Sequence, residues 1–496
     1  MPSDRTFVIV GASLAGGRAA AELREAGFDG RIVLVGEEAD RPYVRPPLSK
    51  GYLAGRTERD KVFVHEEGFY AENDIDLRTS TRVESIETGT SEAVLEDGER
   101  IAFDRLLLTT GAMPRALKAP GADLDGVLLL RRIADSDAIR ERVEAGAKIV
   151  VVGGGWIGAE VAATARSRGC EVSMLYPTGA PLEHVLGPEV ARFFMDLHTT
   201  HGVELHPGSS LAAIEGDGSV SGVRLEDGST LECDAVVVGI GVAPRVELAE
   251  AAGLEVDNGV LVGANLRTSA PSVFAAGDVA RVRHPFFEQP IRVEHWAVAR
   301  EQGPVAARSM LGEPVTYDTL PYFFTDQYDA SLRYWGLATE WDEVVLRGNP
   351  AGGEFAAFWV KDGRVLAGAT VNGEDLGDAI QALIRSRDEV DTAALADPDT
   401  PLPYSEEAEP DAPQSADDLA PGEGFVVDRG PASVAIARGQ DGAVHSVSAV
   451  CTHLGCLVHW NGDEQVWDCH CHGSRFAIDG EVVNGPADEP LELAEL

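Results

Sequence analysis

The sequence predicts an α/β protein with two parallel-sheet domains, a small α+β domain and an all-β module. Three observations lead to this fold class. A strand, glycine loop, helix and strand occur in that order twice, alternating strands follow, and the last 72 residues combine short strands with clustered cysteines. With 496 residues the chain is long enough for about three domains, each with its own core.

The first repeated unit begins with a short β-branched strand, TFVIV, at residues 6–10. The loop GASLAG follows, then an alanine-rich helix and a second strand that ends near Glu37. This order fits the G-x-G-x-x-G pattern of dinucleotide binding with a serine in the middle position, so Gly11, Ser13 and Gly16 are candidate phosphate-loop residues. Glu37 is a candidate acceptor for ribose hydroxyls. A tight packing turn and a solvated glutamate are the alternatives.

The second unit starts with KIVVV at residues 148–152 and continues with GGGWIG, a helix and the strand EVSMLY. It contains the full pattern in Gly153, Gly155 and Gly158, and two such units predict two adenine nucleotides. Tyr176 stands where an NAD site often has an acid, and no arginine follows that could bind a 2′-phosphate. This favours NADH over NADPH.

Between the α+β domain and the last module the amino-acid composition changes abruptly. Residues 396–424 contain six Pro, nine Asp and Glu, and no Lys or Arg, which predicts an extended acidic linker. The predicted boundaries are therefore 1–112 with 242–313 for the first nucleotide-binding domain, 113–241 for the second, 314–395 for the α+β domain and 425–496 for the last module.

Four of the six cysteines lie in two loops of this module, CTHLGC at 451–456 and CHCHGS at 469–474. Together the loops offer two thiolates and two imidazoles in the spacing C-x-H and C-x-x-H. A Rieske [2Fe-2S] cluster needs that ligand set, and a Cys₂His₂ zinc site is the alternative.

The two loops resemble the cluster-binding loops of Rieske domains from cytochrome bc complexes. The resemblance implies two cysteine ligands for one iron and two histidine ligands for the other: Cys451, Cys469, His453 and His472. It also implies a disulfide between Cys456 and Cys471, which would be unusual in the cytosol. Ser474 keeps the position of a hydroxyl that donates to a cluster sulfur.

Seven sequence blocks, two of which contain the glycine loops, occur in order along the first 303 residues: GASLAG, RPYVRPPLSKGYL, TTGAMPR, GGGWIGAE, GIGVAPR, FAAGDVA and VEHWAVAREQG. Together they resemble the FAD-dependent, NAD(P)H-using ferredoxin reductases of the putidaredoxin reductase type, within the pyridine nucleotide-disulfide oxidoreductase fold. PYFFTDQYD extends the resemblance into the α+β domain. The resemblance assigns FAD to the first nucleotide-binding domain and NAD(P)H to the second.

The resemblance also implies roles for single residues. Asp278 and Arg45 would contact FAD, and Lys50 would lie near the reactive edge of the flavin, paired with Glu160. Two further cofactor-binding residues would lie beside the flavin or nicotinamide: Glu294 and Trp296. The implied catalytic residues are Lys50, Glu160 and Trp296. Because the first 169 residues contain no cysteine, thiol chemistry at the flavin is excluded.

These features predict an NAD(P)H-dependent flavoprotein ferredoxin reductase. Electrons would pass from NAD(P)H through FAD to the Rieske cluster, and then to an external acceptor such as an oxygenase or cytochrome P450. The alternatives are an NADH-sensing interaction protein of the apoptosis-inducing-factor type and an NADH oxidase that makes peroxide. Whether the chain forms a homodimer stays open.

The net charge and the length of the apolar runs limit which partners and which cellular location we expect. The net charge of -41 repels nucleic-acid phosphate and anionic lipid, so we expect neither as a partner. No apolar run approaches the roughly 18 to 20 residues that cross a bilayer, and no signal peptide precedes the first strand. We therefore expect a cytoplasmic protein without membrane association.

Overall fold

The structure is a computed structural model that describes residues 4–373, 376–403, 419–427, 433–453, 456–462, 465–469, 474–485, 487 and 489–494. It divides into two compact units. The first comprises Met1–Lys50 and Phe63–Phe323, and the second comprises Gly51–Val62 and Phe324–Leu496. Among the described residues, no helix is both long and apolar enough to cross a membrane.

The strands of the first unit are β1 (Thr6–Val10), β2 (Arg31–Val35), β3 (Ile75–Arg78), β4 (Val83–Glu87), β5 (Glu92–Leu95), β6 (Arg100–Ala102), β7 (Arg105–Leu108), β8 (Ala112–Pro114), β9 (Val127–Leu129), β10 (Lys148–Val152), β11 (Glu171–Tyr176), β12 (Glu204–Pro207), β13 (Leu211–Asp217), β14 (Ser219–Leu225), β15 (Thr230–Glu232), β16 (Ala235–Val238), β17 (Val242–Pro244), β18 (Val260–Val262), β19 (Val273–Ala275), β20 (Ala280–His284) and β21 (Gln289–Ile291).

The remaining strands are β22 (Tyr322–Gln327), β23 (Ala330–Gly336), β24 (Glu343–Asn349), β25 (Glu354–Lys361), β26 (Arg364–Val371), β27 (Gly424–Val427), β28 (Val434–Arg438), β29 (Val444–Ser448), β30 (His459–Asn461), β31 (Val466–Asp468), β32 (Arg475–Ala477) and β33 (Val482–Asn484). The helices are α1 (Leu14–Glu25), α2 (Gly51–Ala54), α3 (Phe69–Glu72), α4 (Ile133–Arg142), α5 (Trp156–Ser167), α6 (Glu183–Thr200), α7 (Glu247–Ala251), α8 (Trp296–Leu311), α9 (Gly377–Ser386) and α10 (Thr392–Ala396), with 3₁₀ turns at Pro46–Ser49, Arg59–Val62, Gly277–Val279 and Pro350–Gly352.

The first nucleotide-binding domain is built on a parallel sheet in the order β19-β7-β1-β2-β3. Its central strand is almost wholly apolar and buried, as expected for a parallel sheet that is covered on both faces. Helix α1 packs closely on α8: a Cβ at Gly303 would lie 2.5 Å from the carbonyl oxygen of Ala15. The predicted β-α-β unit is confirmed.

The second nucleotide-binding domain repeats this layout with a parallel sheet in the order β12-β11-β10-β16-β9. Strand β10 occupies the place of β1, and α5 follows it as α1 follows β1. The chain passes between the two domains through β8 and β17, which pair antiparallel. The predicted α/β class with two Rossmann-like domains is confirmed.

In the second unit, the α+β domain has a five-stranded sheet in the order β22-β23-β26-β25-β24, against which α9 packs. The last module contains two antiparallel sheets, β27-β28-β29 and β30-β31-β32-β33. Their core is small and apolar, with Trp467, Phe476 and Val447 each fully buried. The described part of the module contains strands and no helix, which agrees with the predicted all-β class.

The described ends of the predicted linker are held by the flanking domains. Its first residue ends α10, and the Arg347 side chain donates hydrogen bonds to the carbonyl oxygens of Pro398 and Thr400, at 3.1 and 2.9 Å. At the other end Leu419 is buried, and the Gly422 amide donates to the carbonyl of Arg438 at 2.7 Å. Residues 404–418, the middle of the predicted linker, lie outside the described residues.

Candidate functional site

The first glycine loop connects β1 to α1. Gly11 has a φ of +120°, and a Cβ there would lie 2.2 Å from the carbonyl oxygen of Thr109, so no other residue fits without a backbone shift. Ser13 caps α1 in an extended conformation, but its side chain makes no capping hydrogen bond. The first-turn amides of α1 are therefore not capped by this side chain and face the place where a phosphate would bind.

Two arginines, Arg45 and Arg131, lie next to each other beside this loop. Arg45 donates to Glu38 at 3.0 Å and to the Tyr43 hydroxyl at 2.9 Å, and Arg131 donates to Asp278 at 2.7 Å. Burial and the neighbouring Arg45 charge lower the pKa of Arg131. Within the part of the chain that the structure describes, Arg131 Nε is buried without a hydrogen-bond partner. A buried cation with a spare donor beside a helix N-terminus fits a dinucleotide diphosphate such as that of FAD.

Glu37, the predicted ribose acceptor, lies at the end of β2 and is held by two arginines. Arg245 donates to its two carboxylate oxygens at 2.6 and 3.0 Å, and Arg132 also donates to it. Burial alone would raise the pKa of Glu37, but the hydrogen bond and charge of Arg245 and the charge of Arg132 outweigh it and lower this pKa. Glu37 is therefore ionised. Neither arginine was predicted from the sequence.

The predicted Lys50–Glu160 ion pair is present and mostly buried. Lys50 follows the 3₁₀ turn Pro46–Ser49, and its Nζ lies 2.8 Å from Glu160 Oε2 on α5. The Ser49 hydroxyl donates to the same oxygen at 2.5 Å, and the Thr164 hydroxyl donates to the Ser49 carbonyl at 2.7 Å. The pair therefore joins a loop of the first nucleotide-binding domain to helix α5 of the second.

The N-terminus of α8 carries the predicted Glu294 and Trp296, with His295 between them. The Trp296 ring lies 4.5 Å from the Arg300 guanidinium, and Glu294 pairs with Arg292. His295 Nδ1 accepts a hydrogen bond from the Ala297 amide at 3.2 Å and so caps the helix.

The neutral state of His295 follows from its surroundings. Burial and then the charges of Lys50 and Arg300 lower its pKa to about 3. Its ring lies edge-on to those of Tyr322 and Phe323, with centroids 6.1 and 6.0 Å apart. Sequence reasoning missed this residue. Its position directly before an Ala-rich helix was the one available signal, and histidine is not a typical cap.

The second glycine loop repeats the geometry of the first. Gly153 has a φ of +116°, and a Cβ there would lie 2.3 Å from the Gly239 carbonyl oxygen. The middle residue Gly155 differs, because a Cβ there would meet its nearest atom at 3.9 Å. Packing does not require glycine at this position, whereas close approach of a diphosphate favours a residue with little or no side chain. The loop therefore fits a dinucleotide.

Tyr176, on which the preference for NADH was based, packs against this loop. Its ring is buried 3.0 Å from the Cβ position of Gly154, and burial raises its pKa to about 12. Its hydroxyl is buried with no hydrogen-bond partner among the residues described. The choice between NADH and NADPH stays a prediction.

The two cysteine loops close in the same way. The Cys451 amide donates to the Cys456 carbonyl and the Cys469 amide to the Ser474 carbonyl, both at 2.7 Å. The Cys451 and Cys469 thiols are buried and hydrogen-bonded to each other, which with burial raises the pKa of Cys451. The Ser474 hydroxyl also donates a hydrogen bond to the Cys451 sulfur. Two buried sulfurs and a hydroxyl therefore meet where the cluster ligands are predicted.

Of the two predicted histidine ligands, the structure describes only His453. His453 lies in the first loop and is partly buried, whereas His472 and Cys471 lie outside the described residues. Among the residues that the structure describes, no group of three or more side chains could hold a metal ion. The predicted disulfide is not supported, because Cys456 forms none in the described part of the chain and its Sγ instead accepts a hydrogen bond from Arg333.

Known protein families account for nearly the whole chain. The model of pyridine nucleotide-disulphide oxidoreductases matches residues 5–303, that of the reductase C-terminal domain 322–404, and that of the Rieske [2Fe-2S] domain 412–495. The chain belongs to the pyridine nucleotide-disulphide oxidoreductase family. Like other members it uses FAD and NAD(P)H, and its Rieske domain binds a [2Fe-2S] cluster.

Relatives of this family member include ferredoxin reductases. Putidaredoxin reductase of Pseudomonas putida is 36% identical over 408 residues, which are 81% of this chain and 97% of the relative. The ferredoxin–NAD(+) reductase component of the anthranilate 1,2-dioxygenase system of Burkholderia cepacia is 40% identical over 397 residues, 79% of this chain and 97% of the relative.

The solved covalent complex of putidaredoxin reductase with putidaredoxin matches with a TM-score of 0.77 and 35% identity, over 81% of this chain and 97% of that one. This family member is therefore an oxidoreductase that transfers electrons from NAD(P)H by way of FAD to an acceptor.

The spare room at Gly155 gives a test of the second nucleotide site. We expect Gly155→Val to fold normally but to raise the KM for NADH at least about tenfold, a loss of ~1.4 kcal/mol of binding. Steady-state kinetics and thermal unfolding measure the two effects. Gly158→Ala is the contrasting variant, because its Cβ would lie 2.1 Å from the Gly153 carbonyl oxygen and should lower the melting temperature. An unchanged KM in Gly155→Val would contradict the assignment.

Neutral His295 should make the protein less stable in acid. The unfolded ring protonates near pH ~6.5, whereas the folded ring stays neutral to about pH 3. The unfolded state thus binds more protons between these values, and stability falls as the pH decreases through this window. His295→Asn keeps a capping acceptor and should weaken this dependence in urea unfolding between about pH 7 and about pH 5. The same slope in wild type and variant, with exposed His459→Asn as control, would refute it.

Proposed function

We propose that this chain is a self-contained electron-transfer enzyme that reduces its own Rieske cluster with NAD(P)H and passes single electrons to an external protein. One observation carries the proposal: two dinucleotide-type glycine loops and a pair of buried cluster-type cysteines occur in one chain. When bound, FAD takes up two electrons from NAD(P)H and releases them one at a time, which suits a one-electron [2Fe-2S] cluster. One NAD(P)H would thus supply two successive one-electron transfers through the cluster to the acceptor.

In the first site the chain's cations and amides would bind the FAD diphosphate. The loop of Gly11, Ser13 and Gly16 would present the α1 amides, and Arg131 its spare Nε. Asp278, held by Arg131, would accept hydrogen bonds from the ribityl chain or contact the phosphate region. Glu37 would accept from the adenosine ribose after its arginine partners adjust.

Arg45 and Lys50 would act on the flavin itself. An ammonium beside the ring stabilises the negative charge that reduction adds, and Glu160 together with Ser49 holds Lys50 in place. Trp296 would cover the ring or the nicotinamide and exclude water, with Glu294 nearby. These roles make Lys50, Glu160 and Trp296 the proposed catalytic residues.

In the second site, Gly153, Gly155 and Gly158 would admit the NAD(P)H diphosphate to the N-terminus of α5. In the last module, Cys451 and Cys469 would bind one iron, and His453 and His472 the other. The proximity of the two buried thiols fits the cysteine half of this ligand set. The match to the Rieske [2Fe-2S] domain family over residues 412–495 favours this cluster over a zinc ion.

The acceptor we propose is an oxygenase or a cytochrome P450. One relative is the reductase component of an anthranilate 1,2-dioxygenase system, and another was solved in complex with putidaredoxin. This chain carries an iron–sulfur module of its own and so would need no separate ferredoxin. A homodimer stays a prediction.

Anaerobic mixing with NADH tests the proposed route. Wild type should show flavin bleaching followed by the electron paramagnetic resonance signal of a reduced Rieske cluster. Cys469→Ser should bleach at the same rate without that signal. A flavin that is reduced while an assembled wild-type cluster stays oxidised would overturn the proposal. A long-lived charge-transfer complex with slow oxidation would instead favour the NADH-sensing alternative.

The hydroxyl of Ser474 should tune the cluster potential. It is buried against the Cys451 sulfur and is itself fixed by the Ala487 amide at 3.1 Å. A donor to a ligand sulfur stabilises the reduced, more negative cluster. We expect Ser474→Ala to lower the midpoint potential by about 60 mV, the one-electron equivalent of ~1.4 kcal/mol. Redox titration measures it, with Ser446→Ala in the same module as control. An unchanged potential would contradict this role.

A further inference from the structure

A side chain of the α+β domain contacts the first cysteine loop of the Rieske module. Arg333 lies in the middle of β23 and donates a hydrogen bond to the Sγ of Cys456. Both residues belong to the second compact unit, although 123 positions separate them in the chain. The contact therefore joins two domains that the sequence treats as separate.

The contact reaches the part of the loop that supports a predicted cluster ligand. Cys456 is 4% exposed, and its carbonyl oxygen accepts the amide hydrogen bond of Cys451. Arg333 is anchored in the interior of a sheet, in register with Thr370 on β26. A rigid strand thus presents a guanidinium to the loop that would hold one iron.

Both domains that meet at this contact are acidic. Residues 314–395 contain six Lys and Arg against fourteen Asp and Glu, and residues 425–496 contain three against eleven, so each domain carries a net charge of -8. Two domains of like charge repel each other at low ionic strength, so a local cation at their contact offsets repulsion there. A guanidinium also attracts the extra negative charge of a reduced cluster.

We propose that Arg333 is the docking residue of the Rieske module, holding Cys456 at the end of the first cysteine loop against β23 for electron uptake. The inference rests on the proposed function for its consequence, but the docking contact itself does not require electron transfer. Arg333 is a positioning residue: it acts on the cluster through Cys456 and the loop, not as a ligand.

The test compares full-length holoproteins of Arg333→Ala, Arg333→Lys and wild type, with Arg364→Ala as control. Arg364 begins the neighbouring strand β26, is exposed, and its removal changes the net charge equally. Stopped-flow mixing with NADH gives flavin and cluster reduction separately. Hydrogen exchange of residues 456–462 reports docking without any electron transfer.

We expect Arg333→Ala to slow cluster reduction about tenfold at low salt while flavin reduction stays unchanged. Arg333→Lys should restore most of the rate, and the deficit should shrink at high salt because screening weakens the contact. Hydrogen exchange of residues 456–462 should rise in Arg333→Ala and not in Arg364→Ala. Equal cluster reduction rates and equal exchange in wild type and Arg333→Ala would overturn the docking role. A wild-type cluster that NADH never reduces would overturn the proposed function alone, since the exchange comparison still stands.

Discussion

The close approach of backbone to backbone at the two glycine loops is the constraint on which the rest of the nucleotide-binding domains depends. At Gly11 and Gly153 the chain turns with positive φ against the carbonyl of a neighbouring strand end. Only this turn lets the following helix start at the carboxyl end of the parallel sheet, with its amides facing the ligand. The middle position is free of this constraint, which explains why Ser13 in one loop and Gly155 in the other are both accepted.

The nucleotide-binding domains contain buried charged side chains. Lys50 and Glu160 keep 16% and 4% of their side chains exposed, and removing two charges from water offsets much of their attraction. Such a pair is weak evidence of stabilisation, so we infer that it is retained for the cofactor. Arg131 supports the same view, because a neighbouring cation and burial both disfavour its charge. The site is organised for anionic ligands at some cost to the fold.

The acidity of the chain is consistent with an attached electron carrier. The linker and the last module together account for 17 of the 41 excess negative charges. A reductase that must capture a separate acidic carrier needs a basic face to attract it. A carrier on the same chain is already at high local concentration, so one guanidinium at a defined loop is enough to orient it.

The sequence by itself determined the fold class, both glycine loops and the two cysteine loops, because each is a local pattern whose spacing has one structural use. It also led, through resemblance, to the Lys50–Glu160 pair. Only the tertiary structure decided which cations complete the sites. Arg131 reaches Asp278 across 147 positions and Arg245 reaches Glu37 across 208. No periodicity or motif records such pairings, since an arginine in a loop looks the same whether it faces solvent or a buried carboxylate. The predicted disulfide is not supported in the described part of the chain, where the Cys456 sulfur accepts a hydrogen bond from Arg333, a contact that residue spacing does not record.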